Sequence, residues 1–90
     1  MCRNIRPLFN FDPPATDEEI YAASLQFVRK VSGSTSPSQV NEEIFTESVE
    51  RISECVRDLL NNLQTTATPK NRETEREKAR QRNLKRFSRS

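Results

Sequence analysis

Apolar residues recur along this chain at helical spacing in two long blocks. In the first, Ile20, Ala23, Phe27 and Val31 form one stripe, and Tyr21, Leu25 and Val28 a second beside it. So broad a face belongs to a helix with neighbours on two sides. Thr16-Asp17-Glu18-Glu19 marks its start: the Thr16 hydroxyl takes the amide three residues on, and Glu19 reaches back to the Thr16 amide. Gly33 stands where a left-handed residue closes a helix. In the second block, Val40, Ile44, Phe45, Val49, Ile52, Val56, Leu59, Leu60 and Leu63 lie on one side, with Glu43, Glu47, Glu50 and Glu54 on the other. Ser36-Pro37-Ser38-Gln39 offers a cap, a proline for the first turn and a glutamine at N3. The second helix is therefore predicted to start there and to run to Gln64. So short a connection makes the two helices antiparallel neighbours.

The flanks read differently. Pro7, Pro13 and Pro14 keep the opening segment irregular, yet Ile5, Leu8, Phe9 and Phe11 are too apolar to be left in water. They are expected to fold back as a strap across the helices. Gln64 to Pro69 is a linker by composition. Asn71 is placed to cap a third helix over residues 72–87, helped slightly by the i,i+3 pairs Glu73–Arg76, Glu75–Lys78 and Glu77–Arg80. Ala79, Leu84 and Phe87 make no continuous stripe, so this helix is expected to be bathed in solvent or to order on contact with a partner. The expected architecture is all-α: an antiparallel helical hairpin with an irregular N-terminal strap over residues 1–68, and a basic, charged helix or tail over residues 69–90.

Composition sharpens this picture. Of 90 residues, 32% are hydrophobic and 31% charged, a poor ratio for a core, so the fold should be marginal alone or helped by self-association. A three-helix arrangement and a dimeric four-helix bundle both satisfy the pattern. No apolar run is long enough to span a bilayer, and the basic opening leads into Pro7 rather than an apolar stretch, so a cytoplasmic protein without a signal peptide or membrane contact is expected. The net charge of +2 hides an asymmetry, with residues 1–68 at net −4 and residues 69–90 at net +6. Arg72, Arg76 and Arg80 fall on one helical row, and Lys78, Arg82, Arg86 and Arg89 on another. Together with Lys85 these are the candidate contacts for a protein or nucleic-acid partner, since such rows can track phosphates. In the tail, Phe87 alone could stack on a base, so no sequence-specific readout is suggested.

Candidate chemistry is sparse. The absence of histidine removes the commonest general base and the commonest metal ligand. Cys2 and Cys55 form no CxxC pair, so neither a structural zinc nor a cytosolic disulfide is expected, and no cofactor is implied. Cys55 sits at the margin of the apolar face, where a free cysteine behaves as a small hydrophobe. The carboxylates of the second helix read as a solvated face. Cys2 carries the one catalytic alternative. Removal of Met1 would set its thiol beside a free α-amine, Arg3 and Arg6 would favour the thiolate, and Asn4 could donate to an oxyanion. The plainer reading has Cys2 anchoring the strap.

Met1-Cys2-Arg3-Asn4-Ile5-Arg6, Leu8-Phe9-Asn10-Phe11, Pro13-Pro14-Ala15-Thr16, Val28-Arg29-Lys30-Val31-Ser32-Gly33 and Pro69-Lys70-Asn71-Arg72-Glu73 together give a likeness over nearly the whole chain. The chain resembles a family of small bacterial proteins of unknown function. That resemblance implies a bacterial-type cytoplasmic protein and supplies no activity, cofactor or site. This chain departs from the family in having Ser34 where an aromatic usually follows the glycine. The functional expectation is a small non-enzymatic binding or adaptor protein with a basic tail. The alternative is an N-terminal-cysteine enzyme or redox sensor acting through Cys2.

Overall fold

Thr16 closes the start of the first helix in the way its sequence demands. Its hydroxyl accepts from the Glu19 amide at 3.1 Å, and Glu19 Oε1 accepts from the Thr16 amide at 3.0 Å. The computed structural model describes residues 5–88. Helix α1 covers Asp17–Ser32 and ends at Gly33, whose φ of 70° is the left-handed conformation that a residue without a Cβ adopts freely.

The second helix begins later than the sequence suggested. Ser38 caps a 3₁₀ turn over Gln39–Asn41, and α2 covers Glu42–Asn62. Asn41 donates its amide to the Ser38 carbonyl at 2.9 Å and its side-chain Nδ2 to Ser38 Oγ at 3.1 Å. These two bonds hold the tighter i→i+3 turn, so the capping position falls at Ser38 rather than at Ser36, where the sequence put it. Leu63 closes the far end by donating its amide to the Leu59 carbonyl.

The helices are antiparallel neighbours, because Arg57 near the end of α2 bonds Asp17 at the start of α1 at 2.9 Å. The centre of their contact is small. Ile20 and Val49 are the fully buried apolar side chains among the described residues, flanked by buried Ser24 and Ser53. Each serine sits four residues after one of them and returns its hydroxyl to that residue's carbonyl, Ser24 to Ile20 at 2.9 Å and Ser53 to Val49 at 2.8 Å. Their polarity is thus satisfied within their own helix, and their small volume lets the two backbones approach. Hydrophobic spacing had pointed to larger residues. Phe27 and Val31, assigned to the core stripe, are instead exposed, because among the described residues α1 has its main contact with α2 alone, along the face that carries Ile20 and Ser24.

The strap exists and is pinned by the segment after α2. Strand β1 (Phe11–Asp12) pairs in parallel with β2 (Lys70–Asn71), Phe11 opposite Lys70 and Asp12 opposite Asn71. The Lys70 amide also donates to the Asn10 carbonyl at 2.8 Å. Helix α3 (Arg72–Ser88) follows directly, its first turn capped by Asn71 Oδ1, which accepts from the Thr74 amide at 3.0 Å. The all-α architecture is therefore interrupted only by two residues of pairing on each side, among the described residues. The shape is a slab, 48 × 39 × 16 Å. Its thin dimension is little more than one helix with its side chains, about 10–12 Å.

Candidate functional site

Glu19 begins as a helix cap and ends as the hub of a joint. Its position in the first turn of α1 brings its carboxylate to the edge where the strap passes, and Arg72, the first residue of α3, meets it there. Arg72 donates to both carboxylate oxygens, at 2.8 and 2.9 Å, and its Nε donates to the Pro13 carbonyl at 2.7 Å. Arg6 adds a longer bond at 3.3 Å. The planar guanidinium matches the carboxylate fork, which makes this the strongest polar contact type available to these side chains. Both are well covered, with 18% of the Glu19 side chain and 26% of the Arg72 side chain exposed. The Arg72 hydrogen bonds, with that of the Thr16 amide next, hold the Glu19 carboxyl at about 2, down from 4.5. The same pairing raises Arg72.

Asn10 completes the joint from the strap. It takes a positive φ of 63°, a conformation that asparagine tolerates better than most residues. Its side chain donates to the carbonyls of Ala67 and Thr68 at 3.3 and 3.4 Å. Lys70 and Arg72 each stand 5.7 Å from the centre of the Phe11 ring, within cation–π range.

A groove of about 490 Å³ opens between the strap and α3. Pro7, Leu8, Phe11 and Ala79 give it apolar walls, Arg6, Lys70, Arg76 and Arg82 supply cations around them, and the paired Glu19 and Arg72 and the Glu75 carboxylate complete the lining. Arg76 and Arg82 have no ion-pair partner among the described residues, whereas Lys78 pairs with Glu75 at 3.8 Å and Arg80 with Glu77 at 2.7 Å. Arg80 and its neighbour Gln81 hold Glu77 at about 2 as well, but this pair is mostly exposed and solvent screens it. At 100° per residue these cations spread over about 220° of α3, with Arg72, Arg76 and Arg80 on one row, Lys78, Arg82 and Lys85 on another and Glu75 between, while Glu73, Glu77 and Gln81 fill the rest of the circumference and share a surface with Lys78, Arg82 and Lys85. The groove meets α3 along the row of Arg72, Glu75, Arg76, Ala79 and Arg82.

A family model described as an uncharacterized conserved protein, DUF2277, matches residues 1–78. The chain belongs to the DUF2277 family. No curated protein and no solved structure shows significant similarity to it. The match spans the whole joint and every groove residue except Ala79 and Arg82, and also stops before Arg80 and Lys85.

The residues singled out from sequence divide accordingly. Arg72 is occupied by Glu19 and belongs to the scaffold; Arg76 and Arg82 line the groove; Lys78, Arg80 and Lys85 lie on the exposed helix beyond it. Cys2, Arg3, Asn4 and Arg89, with the side chain of Arg86, fall outside the described residues. Sequence reasoning missed Lys70 and Phe11 as groove residues and Glu19 as the anchor. One signal was available: Leu8-Phe9-Asn10-Phe11 and Pro69-Lys70-Asn71-Arg72-Glu73 are two distinctive segments far apart in sequence, and the structure brings them together. Among the described residues no three Cys, Asp or Glu side chains converge as a metal site would need, and no helix is long and apolar enough to cross a membrane.

Proposed function

We propose that this protein is a small non-enzymatic binding module, and that the groove with the basic side of α3 receives the phosphate backbone of a nucleic acid. The observation that carries this reading is the convergence of Arg6 and Lys70 from the body with Arg76 and Arg82 from α3 around one groove. Cations fixed on two elements, of which Lys70, Arg76 and Arg82 have no carboxylate partner among the described residues while Arg6 touches Glu19 at 3.3 Å, are arranged to take an extended anion, and each neutralised phosphate releases a counterion. An acidic protein segment would need pockets for its side chains, whereas the apolar walls here are short and the charge continues along the helix. Phosphate contacts position without reading bases, so binding should be tolerant of sequence. The exposed free thiol of Cys55 suits a reducing compartment such as the cytoplasm.

Fluorescence anisotropy with labelled single-stranded RNA and DNA, titrated against salt, tests the reading. The full chain should bind at low salt and weaken steeply as salt rises. Reversing two groove cations in Arg76→Glu/Arg82→Glu should cost at least about tenfold and reduce the salt slope by roughly 2. Retained affinity in that variant, or binding to acidic peptides with none to nucleic acid, overturns it.

A further inference from the structure

Helix α2 carries two adjoining apolar sectors, and the fold fully buries residues of only one among those described. Val49, Ser53, Val56 and Leu60 lie toward α1, Val49 and Ser53 fully buried and Val56 and Leu60 half-buried. Beside them, within about 100° of the helix circumference at 100° per residue, run Ile44, Ser48, Ile52, Cys55, Leu59 and Leu63. Their successive spacings of four, four, three, four and four residues are those of a helix–helix seam. Ile44 is 57% exposed, Leu59 55% and Leu63 44%, and Cys55 is exposed too, while Ser48 and Ile52 are half-buried, the first beside the hairpin turn. Among the described residues the main contacts of α2 are with α1 and the 3₁₀ turn, and those of α3 are with β2.

We infer that this sector is a homodimer interface, in which α2 of a second copy lies antiparallel across it. Three observations select a second copy of this chain. The first is self-complementarity. Antiparallel about the middle of the seam, Ile44 meets Leu63, Ser48 meets Leu59 and Ile52 meets Cys55, so that in two of the three pairings a large side chain faces a small one. A two-fold interface requires such self-matching. The second is charge. Arg51 and Asp58 lie together on the outer flank of the seam, and the same superposition sets each Arg51 beside Asp58 of the second copy. Among the described residues Arg51 pairs only with half-exposed Glu47, at 2.6 Å, and the Asp58 carboxylate has no ion-pair partner. The third is area. The chain exposes 7606 Å², whereas a compact monomer of its mass exposes about 5,400 Å². That excess is well above the roughly 800 Å² per partner that a standard interface buries. The radius of gyration, 16.4 Å, likewise exceeds the roughly 12 Å of a compact domain of this length. A slab one helix thick becomes two layers when this sector is covered.

Sedimentation equilibrium of the full chain at tens of micromolar tests the inference, with circular dichroism as the control for folding. The wild-type chain should be a dimer. Leu59→Glu should be a monomer with its helical signal kept, because Leu59 is too exposed to be needed by the monomer. Asp58→Arg should weaken the dimer several-fold, and Arg51→Asp/Asp58→Arg should restore it. A wild-type monomer up to hundreds of micromolar overturns the proposal. So does a dimer indifferent to Leu59→Glu, or an exchanged pair that fails to rescue. Arg76→Glu/Arg82→Glu should remain a dimer, which separates this result from that of the nucleic-acid titration.

Discussion

The hairpin and the joint hold together by opposite means. Where α1 meets α2, contact is local in sequence terms, apolar at its centre and thin, with Ile20 and Val49 buried between two self-satisfied serines. Where the strap meets α3, few side chains are buried, and the contacts are polar and directional. They comprise two bonds from Arg72 to Glu19, one to the Pro13 carbonyl, a short ladder and the Asn10 amide. Hydrophobic burial sets how much stability there is, because it scales with the area removed from water. Directional hydrogen bonds set where an element sits, because they are lost once geometry slips. The hairpin accordingly decides whether this chain folds, and the joint decides whether α3 presents its cations beside the strap or swings away from it.

That division is most easily broken from the hairpin side. Truncating Ile20 to Ala should cost about 3 kcal/mol, the range for a buried aliphatic side chain. For a chain with so little buried apolar volume, this is a large part of the total. The urea midpoint followed by circular dichroism should fall sharply, and the groove should be lost along with the helices. If Ile20→Ala loosened α3 alone and left α1 and α2 cooperative, the hairpin would not be the unit that folds.

From the other side, Arg72→Ala should leave the urea midpoint of α1 and α2 nearly unchanged while freeing α3. Amide exchange along residues 73–85 should accelerate by about tenfold or more relative to the hairpin, since sub-global opening needs only the local contacts to fail. Uniform acceleration across all three helices would mean that joint and hairpin are one cooperative unit.

The hairpin was legible in the sequence for a physical reason. Its determinants (the Thr16–Glu19 box, Gly33 and the i,i+4 stripes) act within a few residues of one another, where spacing alone fixes geometry. The joint was not, although its parts were visible. Glu19 had a complete local explanation as a cap, so nothing in the spacing asked for a second partner 53 residues away. Arg72 looked like one of a row of cations until Glu19 removed it from that row. Asn71 was readable as a cap because its bond to Thr74 is local. The pairing of Phe11 with Lys70 was not, because two residues of strand carry no alternation to detect. Ser24 and Ser53 escaped for a related reason: a hydrophobicity pattern weighs them as polar, while the interface selects them for their size.

The finest separation of the two regions is by acid, because the carboxylate that anchors α3 is held unusually low. Glu19 titrates near 2 in the folded protein against an ordinary 4.5. A depressed folded value means that the unfolded form binds the proton first as the pH drops. The stability contributed by the Glu19–Arg72 contact is therefore fully present above about 4.5 and is lost progressively as pH falls from there through 2. Between pH 6 and 5 exchange in α3 should respond to pH no differently from that in α1. Below pH 4 the opening of α3 should become favoured over that of the hairpin, most strongly as pH approaches 2. Other carboxylates titrate in the same window, so the informative quantity is the difference from Arg72→Ala, in which Glu19 keeps its Thr16 bonds but lacks the guanidinium. If the acid-induced opening of α3 in Arg72→Ala matched the wild type, Glu19 would be acting only as the cap of α1, and α3 would be held by the Phe11–Lys70 pairing alone.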